Sequence, residues 1–380
     1  MSATITWEML RELAGFRAAQ GSAVSLYLSL DPSVAPTAGE TETRFNSLLA
    51  EGERIVDARK DELTRDCREA LKIDFERLRT WFDDGFDRDG SRGVAVFASG
   101  LDDLWATVGV PELVEDGIKV DRELFLVPLV RLVGSGAGVL LASVGREQGQ
   151  VFRLEGGRLV EVADESDEVP GRHDQGGWSQ ARYERHIENL VGQHLRRVAE
   201  TLERYVRRER GVRVVLAGAE DIRSDFESVL SNDVKECLVG WTHARAHASP
   251  SELLEAAEPV LHEWRAGRED QLLERWREEA GRRGRASAGW QHTLEAASDG
   301  RVELLLVQEG ADRPAYRCPK CGRAQTSNGS CPLDGAEVEE RDGGLDLAVH
   351  QTLAHGGTVT VIRDHQDLEP VEGIGALLRF

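Results

Sequence analysis

The chain has 380 residues, 68 of them Asp or Glu and 47 Lys or Arg, for a formal net charge of −21. A length of this order holds two or three domains, and a chain 40% hydrophobic and 30% charged is neither collagen-like nor low-complexity. The charge excludes a protein that coats nucleic acid through surplus positive charge, so any RNA has to be met through local patches.

The first residues, MSATITWEMLRELAGF, lack the apolar run and small-residue cleavage site of a secretory signal. Trp7, Leu10, Leu13 and Ala14 fall at helical spacing, and Val24, Leu26, Leu28 and Leu30 alternate as in a strand that Asp31-Pro32 ends. Between Arg44 and Phe82 two helices are expected, with strands at Gly93–Ser99 and Leu124–Leu132. Leu124 to Val144 is the most apolar stretch, but Pro128, Arg131 and three glycines interrupt it. It reads as two buried strands around a glycine turn and not as a membrane span.

A second α/β segment opens with the strand Gly138–Val144 and a hairpin over 149–154 and 158–162, turned at Gly156-Gly157. The acidic run Asp164–Glu168 precedes a long helix from Gln180 to Glu209, whose stripe is Tyr183, Ile187, Leu190, Val191, Leu195, Val198, Leu202 and Tyr205. A strand at Val212–Leu216, a helix at Ile222–Leu230 and a strand near Glu236–Gly240 continue the alternation. A charged helix over Ser251–Arg283 leads into the strand Arg301–Gln308, a cysteine cluster, the helix Leu345–Ala354 and the strand Thr358–Ile362. Alternation of this kind gives mixed sheets covered by helices.

The most unusual segment is His173-Asp-Gln-Gly-Gly-Trp-Ser-Gln180. Gly176 and Gly177 open backbone angles closed to other residues, and Ser179 suits the helix N-cap. Gln180 then falls in the first turn, where unpaired N–H groups and the helix dipole favour negative charge. A glutamine is no general base at neutral pH; it can orient water or hydrogen-bond an oxyanion. The plain alternative is a turn followed by a cap.

This segment resembles the Gly-Gly-Gln loop of the archaeo-eukaryotic class-I release factor and Pelota superfamily. It more nearly resembles the superfamily's bacterial branch and the related ankyrin-and-zinc-finger peptidyl-tRNA hydrolases, in which the glutamine lies slightly downstream of the glycines. The likeness extends to Val302-Glu-Leu-Leu-Leu-Val307 and to Gly373-Ile-Gly-Ala-Leu-Leu-Arg379. It implies an α/β (α+β) chain of three domains: 1–132; 133–262, with a central RNase-H-like mixed sheet; and 263–380, an α/β/α domain with a zinc-ribbon-like insertion at 316–337.

The resemblance also implies that Gln180 positions a water against the peptidyl-tRNA ester, that Gly176 and Gly177 shape the loop, and that Trp178, Arg182 and Arg185 meet RNA. The partners it implies are the large ribosomal subunit and peptidyl-tRNA, with a translational GTPase left open and no membrane. Two departures bear on the role. Trp178-Ser179 separates the glycines from the glutamine, and Arg44-Phe-Asn-Ser47 stands where the family's stop-codon signature would be. Rescue of stalled ribosomes in the cytoplasm by ester hydrolysis, without codon decoding, is therefore expected; a non-catalytic hibernation factor in the A site is the alternative.

The helix also carries Arg196, Arg197, Arg204, Arg207 and Arg208, interleaved with glutamates. These distal arginines read as a solvated face of i,i+4 pairs. Cys318-Pro-Lys-Cys321 and Cys331-Pro-Leu-Asp334 form two knuckles, each followed by glycine. Three cysteines and Asp334 would make a structural zinc site, with His350 or His355 as alternative fourth ligands. Five cysteines are odd for a disulfide framework and suit a reducing compartment. His243 and His247 have the spacing of a helical metal pair but no third partner, the acidic residues offer a weak nuclease reading, and no phosphate-loop motif is present.

Overall fold

The computed structural model describes residues 5–32, 35–86, 91–110, 114–134, 138–155, 158–166, 180–209, 211–245, 247–282, 284–341 and 343–380. Helix α1 (Trp7–Gly15) is capped by Thr6, and strand β1 (Ala23–Ser29) follows. Helix α2 (Ala38–Ala58) begins with a reciprocal capping box between Thr37 and Glu40, and α3 (Arg65–Gly85) is capped by Thr64. Then come β2 (Gly93–Ser99), β3 (Leu104–Val110) and β4 (Gly117–Asp121), which complete an antiparallel sheet in the order β3-β2-β1-β4.

All seven residues of β1 are buried. Val24, Leu26, Leu28 and Leu30 lie in one core with Phe45, Leu49, Leu71 and Phe75 of α2 and α3, while Ala23 and Tyr27 join a second core on the opposite face. The serines between them are tolerated because Ser25 Oγ accepts the Phe125 N–H at 3.0 Å.

The expected strand at Leu124–Leu132 is instead helix α4 (Val127–Gly134). Leu126, Leu129 and Val130 are buried at helical spacing, and Pro128 sits in the first turn, where its missing N–H costs nothing. Short apolar runs do not reveal their period, which is why this one misleads. The glycine-turn pair of strands is thus a helix followed by a strand.

The central segment contains β5 (Val139–Val144), β6 (Gly149–Glu155), β7 (Arg158–Asp164), α5 (Gln180–Arg208), β8 (Arg213–Gly218), α6 (Glu220–Val229), α7 (Asn232–Cys237) and β9 (Leu238–His243). Its sheet order is β7-β6-β5-β8-β9, antiparallel across β7-β6-β5 and parallel across β5-β8-β9. This is the mixed RNase-H-like arrangement expected. Residues 236 and 237 close α7, so the last strand starts two residues later than its apolar pattern suggests. Helices α5, α6 and α7 cover one face. The other face receives Leu253, Ala257 and Leu261 of α8 (Pro250–Gly281).

The last segment adds β10 (Ala286–Ala288), α9 (Trp290–Ser298), β11 (Val302–Gln308), β12 (Ala315–Arg317), β13 (Ala324–Gln325), β14 (Glu339–Arg341), α10 (Gly344–Ala354), β15 (Thr358–Ile362) and β16 (Ile374–Leu378). A four-stranded sheet, β10-β16-β11-β15, lies between α9 and α10 on one side and Leu273 and Trp276 of α8 on the other. The small strands β13-β12-β14 form a separate ribbon. Residues 1–135 and 269–380 gather into one compact unit and residues 136–268 into another. Within the first unit, Leu10, Tyr27, Phe97 and Leu129 share a core with Trp290, Leu294, Leu305 and Leu353.

Candidate functional site

Gly176, Gly177, Trp178 and Ser179 lie outside the described residues, as do the side chains of Gln180 and Arg182. Gln180 is the first residue of α5. What the structure shows is how the two ends of the intervening segment are held.

The first end leaves β7. Glu165 N–H donates to Gly149 O at 2.7 Å, and Gly149 N–H donates to Ser166 Oγ at 3.2 Å. Ser166 N–H in turn donates to Asp164 Oδ1 at 2.9 Å. The Ser166 hydroxyl and this N–H hold the Asp164 carboxyl below its ordinary range. Thr201 Oγ1 of α5 donates to Glu165 Oε1 at 2.8 Å, and Tyr205 Oη donates to Val162 O at 2.6 Å. The acidic run therefore begins as an ordered stem fastened to the helix.

Deeper in the same contact, fully buried His194 reaches Gln148 O through Nε2 at 3.1 Å. A carbonyl only accepts, so Nε2 carries the proton. Gln148 is itself buried; its Oε1 accepts the His247 N–H at 2.9 Å, and its Nε2 donates to Gln150 Oε1 at 3.0 Å. The helix can approach this closely only because residue 149 has no side chain. A Cβ there would lie 2.3 Å from Val198 Cγ2 and 3.0 Å from His194 Cε1.

The second end is the start of α5. Its buried stripe runs Val206, Leu202, Val198, Leu195, Val191 and Ile187. Ahead of Ile187, the described side chains of Arg185 and His186 are exposed. From Gln180 to His194 the helix runs about 21 Å at 1.5 Å per residue. The opening turns thus reach beyond the clamp at Gln148 and carry Gln180 at their tip. Further back, Arg204 pairs with Glu165 at 3.6 Å, and Arg207 with Glu203 and Asp233 at 2.7 and 2.8 Å, in keeping with a solvated, ion-paired face.

Nothing in the sequence pointed to Gln148, Gly149, Glu165 or His194. The contacts that fasten the hairpin to α5 join residues 46 apart, Gln148 with His194, and 36 apart, Glu165 with Thr201, and a histidine on an apolar stripe looks like any core position. His243 ends strand β9, and His247 sits in a turn at φ 62°, so the pair has no helix to share and the metal reading for it falls.

The four cysteine-cluster residues do come together. One donor atom from each of Cys318, Cys321, Cys331 and Asp334 lies within 4.8 Å of all the others. The two knuckles have the same backbone design: Gly322 N–H donates to Cys318 O at 3.0 Å and Gly335 N–H to Cys331 O at 2.9 Å. Both glycines take left-handed angles, φ 79° and 72°. The Ala336 N–H donates to Asp334 Oδ1 at 3.0 Å and keeps that carboxyl ionised to lower pH than usual.

Neither alternative ligand belongs to the group. His350 is buried in α10, where burial and then the charges of Arg317 and Arg17 push it down to about 3. His355 is exposed, with Nδ1 at 2.8 Å from Gln351 O. Three thiols and a carboxylate at this spacing suit a tetrahedral ion and leave no open position for chemistry.

Comparison with known proteins bears on the central segment first. The sequence model of the family described as bacterial archaeo-eukaryotic release factor family 10 matches residues 125–262. Peptide chain release factor subunit 1 of Archaeoglobus fulgidus is 24% identical over 406 residues, covering 98% of this chain and 96% of the relative. The Thermoplasma acidophilum protein of the same name is 27% identical over 288 residues, covering 69% of this chain and 68% of its own. Among solved structures, an archaeal translation termination factor aligns over 98% of this chain and 96% of its own at 19% identity and TM-score 0.28. Pelota of Archaeoglobus fulgidus aligns over 78% and 81% at 16% identity and TM-score 0.34. Over residues 125–262 the chain is thus similar to the bacterial archaeo-eukaryotic release factors, and over nearly its whole length to archaeal peptide chain release factor subunit 1.

Proposed function

We propose that this protein is a cytoplasmic translation factor that rescues stalled ribosomes by hydrolysing the ester between nascent peptide and tRNA. One observation carries the reading: in a segment similar to a release-factor family, α5 presents Gln180 at the end of turns that run beyond the Gln148–His194 clamp. A helix start offers unpaired N–H groups and a positive dipole end to a carbonyl that becomes an oxyanion. Gln180 supplies a side-chain amide that orients the attacking water, while Gly176 and Gly177 let the backbone enter a narrow site. Trp178, Arg182 and Arg185 meet RNA beside it. Residues 133–262 act as the catalytic domain, and 1–132 and 263–380 dock on the ribosome or on a translational GTPase.

We further infer that Cys318, Cys321, Cys331 and Asp334 hold one structural zinc ion. The buried residues of the ribbon's own apolar cluster are Cys318, Cys331 and Val338, a core too small to order it unaided.

The deciding experiment is single-turnover peptide release from ribosomes carrying peptidyl-tRNA. Wild-type protein releases peptide, and Gln180→Ala slows release by roughly a hundredfold or more while still binding, the usual loss for one positioned donor. Tight binding without release by the wild type would overturn hydrolysis in favour of an A-site hibernation factor.

A further inference from the structure

We propose that Cys321 and Cys331 form a peroxide-sensitive pair whose oxidation to a disulfide dismantles the four-donor group. The four ligands are not equivalent. Cys318 is fully buried, with Sγ 3.3 and 3.4 Å from the two oxygens of Asp334. Cys331 is buried, with Sγ 3.5 Å from Sγ of Cys321, and Cys321 alone among the three is exposed. The group therefore divides into a thiol–carboxylate pair whose thiol is wholly buried and a thiol–thiol pair with one thiol open to solvent.

The chemistry follows from that division. The solvent-exposed Cys321 thiol gives up its proton as its sulfur attacks the O–O bond of a peroxide, becoming a sulfenic acid and expelling hydroxide, which takes up that proton as water. The Cys331 thiolate attacks the sulfenic sulfur, the S–S bond forms, and a second hydroxide leaves. The two sulfurs give up two electrons and two protons, and the peroxide is reduced to two waters. Cys318 and Asp334 then remain, two donors where a tetrahedral ion needs four. The CxxC pair Cys318–Cys321 is the less accessible route, because Cys318 has no solvent exposure and is engaged by Asp334. Only the loss of metal rests on the zinc reading; the disulfide rests on the cysteine geometry.

The test uses the reduced full-length protein, treated with hydrogen peroxide, alkylated and mapped by mass spectrometry, with released zinc titrated by a chromogenic chelator. Trypsin cuts after Arg317, Lys320 and Arg323, so the three cysteines fall in separate peptides. The expected result is loss of two of the five thiols, a Cys321–Cys331 linked peptide as the main product, and zinc release with the same time course. Dithiothreitol with added zinc reverses all three. Cys321→Ser abolishes the link, and Cys237→Ser, outside the cluster, retains it.

A Cys318–Cys321 link as the main product, or zinc and thiols that both survive the treatment, overturns the proposal while the zinc reading stands. A protein isolated without metal that still forms the Cys321–Cys331 link sustains the oxidation site and overturns the zinc reading.

Discussion

Asp346, in the first turn of α10, is a carboxylate under opposing influences. Burial pushes it up to about 6, against the pull of Lys119 at 3.8 Å; the charge of Asp121 raises it further, and the Leu126 N–H lowers it. Its folded pKa lies above the unfolded value, so the sign is the reverse of the usual salt-bridged carboxylate. Ionised Asp346 costs stability at neutral pH, and that cost fades as pH falls through about 6 toward 4. Asp346→Asn should therefore stabilise the protein at pH 7.5 and do little at pH 4.5. Since 25% of the side chain still reaches solvent, the gain should be about 1–2 kcal/mol, less than the full shift implies. Thermal unfolding of both proteins across that pH range checks it, and a variant less stable at pH 7.5 would refute it. No sequence pattern marks this residue. Glycine-glycine-leucine-aspartate reads as a helix start, and only the fold brings Lys119 and Asp121 from β4 against it.

At the scale of elements, legibility followed periodicity. Helix α5 is readable over almost its whole length because its stripe repeats through about six turns, and β5, β6 and β7 because glycines punctuate them. Helix α4 is not, since eight mostly apolar residues show no period. Strand β4 is not legible although Ile118 and Val120 alternate; five residues are too few to stand out beside charged neighbours. The hairpin–helix clamp escaped altogether because it joins elements far apart in the chain. Its weight can be measured at Gly149. Replacing this residue with alanine forces a methyl group to within 2.3 Å of Val198 Cγ2, so the hairpin and α5 must part. Such overpacking costs about 1–3 kcal/mol. Because the same backbone holds Glu165 and Ser166, Gly149→Ala should lower peptide release by more than its loss of folded protein explains. Release per folded molecule, measured well below the melting temperature, decides; an unchanged value would mean that the clamp supports only the fold.

For the molecule as a whole, the governing fact is a net charge of −21 on a chain read as meeting RNA. Such a field slows approach to a polyanion, so favourable contact has to be concentrated where the acidic background is thinnest. The sequence points to the opening of α5, where Arg182 and Arg185 occur within six residues that contain one glutamate. The more distant Arg204 and Arg207 are already committed to Glu165, Glu203 and Asp233, and so add little to RNA contact. Ribosome affinity should then fall only gently with salt, and a large part of the slope should belong to two side chains. Replacing Arg182 and Arg185 by alanine should reduce the log–log salt slope by about 1.5, near the release of one counterion per phosphate lost. Replacing Arg204 and Arg207 should leave it nearly unchanged. If the slope follows the distal pair instead, RNA lies along the helix flank and not at its tip, and Gln180 loses its place beside the ester.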